Sequence, residues 1–235
     1  MSEKTIALVT GANKGIGYAI AAGLGALGWS VGVGARDEQR REEAVAKLVA
    51  AGFDAFGVPL DVTDDASVAA AAQQLKDRAG RLDVLVNNAG IVGRWPDAPT
   101  SLTPEDVRTV LETNVIGTIR VTNTLLPLLR RSAHPRVINQ SSHLGSMTQD
   151  YGDPSGAYAP SKTFLNALTI QYARELQGTG ILINNACPGY VATDFNEFNG
   201  TQTPEQGAAI AIRLATLPDD GPTGQVFDDS GVVPW

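Results

Sequence analysis

The sequence predicts one doubly wound α/β domain that spans residues 1–235 and is built on a mostly parallel sheet of seven strands. Short apolar runs alternate with helical patterns from end to end, as in chains of strand–helix units. Hydrophobic residues make up 43% of the 235 residues, which is enough for one sizeable core. No repeat, low-complexity segment or Pro/Gly/Ser-rich linker divides the chain, so we expect a single unit.

The elements follow from the position of each apolar run. Runs that end in glycine or in polar residues predict strands at 5–9, 30–34, 55–60, 84–87, 136–139, 181–186 and 225–227. Helical periodicity predicts helices near 15–27, 38–51, 67–79, 104–131, 155–177 and 204–217. The fourth of these is long and is expected to break around Asn114, where a polar residue interrupts it.

Composition excludes several classes of protein. A net charge of −7 argues against binding to nucleic acid and to anionic membrane surfaces. Cys187 is the single cysteine, so no internal disulfide is expected, and its apolar neighbours predict a buried thiol. The first residues show no signal-peptide pattern, and no apolar run approaches the roughly 20 residues needed to span a bilayer. We expect a soluble, cytoplasmic protein.

The histidines and acidic residues show no metal-ligand spacing, so no metal is predicted. His143 is expected beside the site, where it could line a substrate pocket. A hydrolase triad is not expected, because the chain lacks a G-x-S-x-G elbow. His134 lies in a turn and is expected to be solvated.

Distinctive residues follow six of the predicted strands. Ligands of doubly wound sheets bind at the carboxyl ends of the strands, so a cluster there predicts a binding site. The segments are 11–17, 35–36, 61–62, 88–90, 141–142 and 188–189.

The first of these segments contains Gly11, Gly15 and Gly17, spaced G-x-x-x-G-x-G between a strand and a helix. Glycine permits the tight turn and lets backbone N–H groups approach a pyrophosphate at the helix N-terminus. The segment therefore predicts a dinucleotide phosphate site.

Tyr158 and Lys162 lie four residues apart in a helical pattern, so both side chains are expected on one helix face. A neighbouring cation favours the phenolate, so we expect Lys162 to lower the pKa of Tyr158. Such a tyrosine can exchange a proton with an alkoxide or an alcohol. With a dinucleotide nearby, the expected chemistry is hydride exchange at a carbonyl or alcohol.

These motifs together resemble the short-chain dehydrogenase/reductase family. TGANKGIG, NNAG, Asn114, the serine pair 141–142, YAPSK and PGYVAT occur in family order between Thr10 and Thr193. Within the family, NKGIG and ARD are most similar to the NADPH-dependent carbonyl reductases. The resemblance implies a cofactor half at about 1–135 and a catalytic and substrate half at about 136–235.

The resemblance also implies roles for single residues. Asn114, Ser142, Tyr158 and Lys162 would form the catalytic set, with Asn114 kinking a helix and holding a water that relays protons. Ser142 is the second serine of its pair and would bind the substrate oxygen, whereas Ser141 would bond local backbone. The implied cofactor residues are Gly11, Asn13, Lys14, Gly15, Ile16, Gly17, Arg36, Asp61, Val62, Asn88, Tyr158, Lys162, Pro188, Gly189, Val191 and Thr193. Of these, 61, 62 and 88 would contact adenine and its ribose, and 188–193 the nicotinamide.

The end of the second strand indicates NADP(H) as the cofactor. Alignment of the glycine motif places Ala35 where an NAD-binding acid would stand, and Arg36 and Lys14 supply positive charge for a 2′-phosphate. Asp37 comes one residue too late for the ribose and is expected to cap the next helix. Asp61 could likewise be a cap rather than a cofactor contact.

One segment departs from the family pattern, and a second segment is expected to affect the choice of substrate. The interval from Ser142 to Tyr158 is a few residues longer than usual, which predicts a small insertion within 146–156 that reshapes a pocket wall without displacing the helix. Tyr151 in that stretch is the rival tyrosine, but it has no lysine four residues on. Residues 194–203 predict a short mobile cap with few apolar anchors and hence an open pocket.

The leading hypothesis is an NADPH-dependent carbonyl reductase in which Tyr158 is the general acid and the partner is a small carbonyl or alcohol. One alternative is an NAD(P)-dependent alcohol dehydrogenase or ketoacyl reductase of narrow specificity. Another is a non-catalytic NADP-sensing regulator, which would not need the complete catalytic set. Family members include monomers and oligomers, so a homo-oligomer is left open.

Overall fold

A computed structural model describes residues 4–94, 97–149 and 154–235, and its centre is one sheet of eight strands. The strand order is β3-β2-β1-β4-β5-β6-β7-β8, and every neighbouring pair is parallel except β7 with β8. The strands are β1 Ile6–Thr10, β2 Ser30–Ala35, β3 Asp54–Pro59, β4 Val84–Asn87, β5 Arg136–Gln140, β6 Leu182–Ala186, β7 Val226–Asp228 and β8 Gly231–Val232. The doubly wound, mostly parallel fold is confirmed. The count of seven strands is wrong by one, because β8 has two residues and is too short to show an alternating pattern.

Seven α-helices cover the two faces of the sheet in the described part of the chain. They are α1 Gly15–Ala26, α2 Glu38–Ala50, α3 Asp65–Ala79, α4 Pro104–Leu111, α5 Gly117–Leu129, α6 Tyr158–Glu175 and α7 Pro204–Ala215. None of the helices in the described ranges is long and apolar enough to cross a membrane.

Successive residues of the buried strands face opposite layers. In β1, Leu8 packs in a core with α3, α5 and α6, whereas Ala7 and Val9 pack in a second core with α1, α2 and α7. Helices on both faces bury β1 along its whole length, which explains its continuous apolar run. The two cores hold the carboxyl ends of the central strands at one edge, where the predicted site residues lie.

The predicted break at Asn114 is a change of helix type. Glu112–Ile116 forms a π-helical turn that joins α4 to α5 while the chain stays helical. The wider turn adds one residue to the helix locally, and such turns often mark functional sites. Asn114 is 1% exposed and points into the protein.

Helix N-termini divide into two groups. α2, α3, α4 and α7 each begin with a side-chain cap, provided by Asp37, Asp64, Thr103 and Thr203. The residues that precede α1 and α6, Lys14 and Ala157, provide none. α5 also has no side-chain cap, but it continues directly from the π-helical turn. α1 and α6 both begin at the predicted site.

Candidate active site

The glycine loop between β1 and α1 has the geometry expected of a phosphate site. Gly11 and Gly15 have φ of +64° and +55°, the left-handed region that glycine enters without strain. A Cβ on Gly17 would lie 2.4 Å from both Gly11 O and Asn88 Nδ2, so the loop and helix pack too closely for a side chain. The first turn of α1 has no side-chain cap and no acidic residue. Its N–H groups can therefore receive an anion, which fits a dinucleotide pyrophosphate.

Asn88 supports this loop from the end of β4. Its Nδ2 donates to Thr10 O at 2.9 Å and to Gly11 O at 3.3 Å, and its backbone N–H donates to Thr10 Oγ1. The side chain thus braces the turn that carries the first glycine. A contact of Asn88 with the adenine ribose stays a prediction.

The end of β2 is cationic and exposed. The Arg36 side chain is 76% exposed, and its guanidinium lies 4.0 Å from Asp61 Oδ2. Asp37 accepts a hydrogen bond from Arg40 N at 2.9 Å, so its predicted capping of α2 is confirmed. Lys14 forms an ion pair with Asp194.

A cavity of about 210 Å³ lies beside the glycine loop, lined in part by Lys14, Arg40 and Lys47. Glu43 also lines this cavity, so the cations outnumber the acids by three to one, and this excess favours an anionic occupant. Arg40 and Lys47 were not predicted as site residues from the sequence, because only the position of α2 in the fold brings them close to the loop.

Asp61 is held by its own turn. Its Oδ1 accepts hydrogen bonds from Thr63 N at 2.9 Å and Thr63 Oγ1 at 2.7 Å. Burial alone would raise the pKa of this carboxyl, but the bonds from Thr63 and the charge of Arg36 lower it, so it stays ionised. The cap of α3 is Asp64, not Asp61. The neighbouring Val62 is buried, and its carbonyl accepts from Arg120 at 2.7 Å.

The segment after β6 lies against the glycine loop. Gly189 follows Pro188 with a φ of +82°, and an added Cβ would lie 2.4 Å from Gln202 Oε1. Val191 pairs with Gln202 in an isolated bridge. Thr193 reaches the loop itself, because a Cβ on Gly15 would lie 3.3 Å from Thr193 Cγ2. The segment and the glycine loop therefore form two sides of one cleft.

Tyr158 is the first residue of α6 and is half-buried, with its phenol at the site. Burial raises its pKa to about 12, while a hydrogen bond with the Ser142 side chain acts in the opposite direction. The ring of Phe195 meets it edge-on, with centroids 5.6 Å apart. A phenol with this pKa is protonated at neutral pH.

Lys162 lies one turn further along the same helix and is 5% exposed. Its Nζ donates to Gln140 O at 2.8 Å and lies 5.5 Å from the centroid of the Tyr158 ring. Burial lowers the pKa of this ammonium to about 8. The expected lowering of the Tyr158 pKa is wrong in direction, because burial of the phenol outweighs a cation whose nearest partner is a backbone carbonyl.

Asn114 is bonded to Ile91 from both ends of its amide. Its Oδ1 accepts from Ile91 N at 2.9 Å, and its Nδ2 donates to Ile91 O at 2.9 Å and to Ser161 Oγ at 3.0 Å. A Cβ on Gly90 would lie 3.3 Å from Asn114 Oδ1 and 3.8 Å from Lys162 Nζ. The glycine of NNAG therefore lets these two side chains converge.

The two serines after β5 face different partners. Ser141 is buried and donates to Asn166 Oδ1 at 2.7 Å. Ser142 accepts from Leu144 N at 3.2 Å and bonds the Tyr158 side chain. The structure thus brings Ser142 to the tyrosine, whereas Ser141 bonds a side chain of α6 rather than local backbone.

Cys187 and His143 adjoin this group, whereas His134 precedes β5 and lies at the opposite edge of the sheet. Cys187 is 1% exposed, and burial together with nearby Asp228 raises its pKa to about 12, so the thiol stays protonated. His143 Nε2 lies 2.9 Å from Asp228 Oδ2. His134 is exposed, as expected, and lies 2.9 Å from Asp219. Among the described residues, no three His, Cys, Asp or Glu side chains are grouped to hold a metal ion.

Sequence reasoning missed several residues of the site. Phe195 was overlooked because residues 194–203 read as polar. Gln140 serves through its backbone carbonyl, which no sequence pattern reveals. The predicted insertion within 146–156 falls partly, and the rival Tyr151 falls wholly, outside the described residues.

A doubly wound sheet that carries an uncapped glycine loop and a Tyr–Lys–Ser–Asn group at one edge defines a nicotinamide-dependent oxidoreductase. Comparison with known proteins gives the family. The model of the short chain dehydrogenase family matches residues 5–204. Carbonyl reductase [NADPH] 1 of Mus musculus is 35% identical over 280 positions, covering 100% of this chain and 99% of the mouse protein. The chain therefore belongs to the short-chain dehydrogenase/reductase family, whose members are oxidoreductases that act on C=O and CH–OH groups.

Two further similarities support this placement. Short-chain dehydrogenase/reductase 1 of Saponaria officinalis is 33% identical, covering 100% of this chain and 97% of the plant protein. The crystal structure of NADPH-bound carbonyl reductase from chicken fatty liver matches with a TM-score of 0.88 and 31% identity, and the match covers 100% of each chain.

Proposed function

We propose that this protein is an NADPH-dependent carbonyl reductase that transfers a hydride to a ketone or aldehyde. The observation that carries the proposal is that four side chains meet at the carboxyl edge of the sheet. Ser142 adjoins the Tyr158 phenol, Lys162 Nζ lies 5.5 Å from the centroid of the Tyr158 ring, and Asn114 lies with Lys162 beside Gly90. This arrangement presents a protonated phenol and a serine hydroxyl to one small volume.

NADP(H) is the cofactor that the charges favour. The cavity beside the glycine loop is lined by three cations and one acid, and Arg36 extends from the end of β2, where Ala35 occupies the position of an NAD-binding acid. A 2′-phosphate suits this environment better than a 2′-hydroxyl. The curated mouse relative and the chicken liver structure carry NADPH in their names.

In the proposed reaction the reduced nicotinamide, when bound, supplies the hydride. Ser142 donates a hydrogen bond to the carbonyl oxygen and stabilises the negative charge that develops there. Tyr158 gives its phenolic proton to that oxygen, and its high pKa ensures that the proton is present at neutral pH. Lys162 Nζ and Asn114 Oδ1 both lie beside Gly90, where they can return a proton from solvent to the tyrosine.

The Phe195 ring contacts the Tyr158 ring edge-on, and the Phe198 side chain, three residues further along the chain, is 69% exposed. Apolar surface beside the phenol favours small-molecule carbonyl substrates with a hydrophobic substituent.

The direct test is NADPH oxidation, followed at 340 nm, with a panel of aromatic, aliphatic and cyclic ketones and aldehydes. We expect turnover of several members of the panel and a preference for apolar ones. NADPH binding without any turnover would contradict the proposal and favour the NADP-sensing alternative. Activity confined to thioester-linked ketoacyl compounds would favour the narrow reductase instead.

A further inference from the structure

The helix that carries Tyr158 starts without a cap of its own. Ala157 precedes it and offers no side-chain acceptor, and the chain before Ala157 runs through the irregular stretch 154–156. The first N–H groups of a helix need acceptors, and an unmade hydrogen bond at a buried helix start is costly. The start of α6 must therefore be held by another part of the molecule.

Asp97 supplies that acceptor from the segment that follows β4. Its Oδ2 accepts hydrogen bonds from Ala157 N at 3.1 Å, Tyr158 N at 3.3 Å and Ser155 Oγ at 2.8 Å. Ser155 Oγ in turn accepts from Ala159 N at 3.1 Å. The carboxylate and the serine together satisfy three consecutive backbone N–H groups, one of them that of Tyr158 itself.

Close packing joins the same two segments. Gly156 N donates to Asp97 O at 2.8 Å. A Cβ on Gly156 would lie 2.5 Å from Leu102 Cδ1 and 2.9 Å from Pro99 Cα. These distances are too short for any side chain at position 156. The position of the helix start is therefore set by contact with residues 97–102 as well as by hydrogen bonds.

The Asp97 carboxylate is unusual in its own right. It is 1% exposed, yet Oδ1 has no hydrogen-bond partner among the described residues. All three described donors converge on Oδ2. An unpaired oxygen buried in this way costs free energy, so a carboxylate is not the choice that stability alone would favour.

We propose that Asp97 is a positioning residue for Tyr158, one that fixes the first turn of α6 so that the phenol meets Ser142 and the substrate oxygen. This inference rests on the proposed function. A misplacement of about 1 Å can cost roughly a hundredfold in rate, so a loosened first turn lowers turnover without removing any reacting group. Because Oδ2 takes every bond, an amide oxygen can replace it while the amide nitrogen occupies the place of Oδ1.

The experiment compares Asp97→Asn and Asp97→Ala in the full-length protein. We expect Asp97→Ala to lower kcat by roughly tenfold or more and to speed amide hydrogen exchange in peptides spanning 155–160. The NADPH dissociation constant should stay within about threefold of wild type. Asp97→Asn should keep kcat within about threefold and leave exchange unchanged.

Thr103→Ala is the matched control, because Thr103 caps α4 with a comparable set of bonds. It should lower the melting temperature without lowering kcat. If Asp97→Ala proves too unstable to purify, Ser155→Ala removes one donor and the acceptor for Ala159 N, and it should lower kcat by a smaller factor with the same faster exchange.

Several results would overturn the proposal. The first is a wild-type kcat in Asp97→Ala, or in Ser155→Ala where that variant replaces it. The second is an Asp97→Asn variant that is as impaired as Asp97→Ala. The third is a loss of kcat in Thr103→Ala equal to that in Asp97→Ala. Unchanged exchange at 155–160 in Asp97→Ala would overturn it independently of activity. A wild-type protein that reduces no carbonyl would refute the proposed function instead, and the exchange measurement would still test the contact.

Discussion

The helix starts of α1 and α6 both lack a side-chain cap from the preceding residue, but the protein treats them in opposite ways. The first turn of α1 is left open, with no acidic residue and three glycines around it. The first turn of α6 is closed by Asp97, which lies about sixty positions earlier in the chain. An open start suits an anion that comes and goes, whereas a closed start suits a side chain that must not move.

Supporting contacts at both ends reach far along the chain. At the cofactor end, Asn88 donates to the carbonyls of Thr10 and Gly11, which lie 78 and 77 positions earlier. At the catalytic end, Lys162 bonds Gln140 and Asn114 bonds Ile91. The catalytic side chains therefore depend on the assembled tertiary structure, and the following changes test each end separately.

The largest effect is expected at the start of α6, from Tyr158→Phe. Removing the proton donor should lower kcat for carbonyl reduction by roughly 10²–10⁴-fold, while little volume is lost and NADPH binds nearly as before. Steady-state kinetics and a fluorescence titration with NADPH measure the two quantities.

The control for this variant is Tyr172→Phe on the same helix. Tyr172 donates to Asn123 at 2.8 Å, away from the site, so its loss should leave kcat unchanged. A Tyr158→Phe enzyme that keeps a tenth of the wild-type rate would show that another group is the acid.

At the open end, the double change Ala35→Asp with Arg36→Ile should reverse cofactor preference. The new carboxylate repels a 2′-phosphate and accepts from a 2′-hydroxyl. We expect the ratio of kcat/KM for NADPH over NADH to fall by roughly ten- to a hundredfold. Arg108→Ile on α4 removes an exposed arginine elsewhere and should leave the ratio unchanged. Equal use of both cofactors by the unmodified enzyme would refute the role of Arg36.

The buried Lys162 on α6 should also make the stability of the protein depend on pH. Lys162 has a pKa of about 8 when folded against 10.5 when unfolded, so the unfolded chain binds more protons between these values. Deprotonation of Lys162 therefore increases the free energy of unfolding as pH rises from 8 to 10.5. Below pH 8 the buried ammonium lowers the stability of the folded protein.

Lys162→Met should remove this dependence. The variant should be more stable than wild type by about 1–3 kcal/mol at pH 7, and the difference should shrink toward pH 10. Urea unfolding at both pH values measures it, with Lys76→Met on the exposed face of α3 as the control. A difference that stays constant with pH would show that burial of the ammonium is not its cause.

The smallest effect is expected from Asp194→Asn, which releases Lys14 from its ion pair. Both side chains are about half exposed, so the pair contributes little to stability. Lys14 then becomes free for a 2′-phosphate, and the NADPH dissociation constant should fall by up to about threefold. Isothermal titration with NADPH and NADH distinguishes this from a general effect, since equal tightening of both would count against it.

Much of the molecule follows from local pattern. The seven parallel strands lie within a residue or two of their predicted bounds, because helices cover both faces of the sheet and favour apolar runs in its strands. The clustering of Gly11–Gly17, Asn88, Ser142 and Tyr158 at one edge follows from the parallel strand order alone. The pairing of β7 with β8 did not follow, since two residues carry no periodicity.

The amino-acid sequence by itself predicted the fold, because apolar runs, glycine turns and helix spacing are local properties, and its resemblance to the family supplied the four catalytic candidates. Only the tertiary structure decided that burial raises the pKa of Tyr158 and that α6 is capped by Asp97. Desolvation and long-range hydrogen bonds depend on which atoms surround a group in three dimensions. Neighbours in sequence do not specify those atoms.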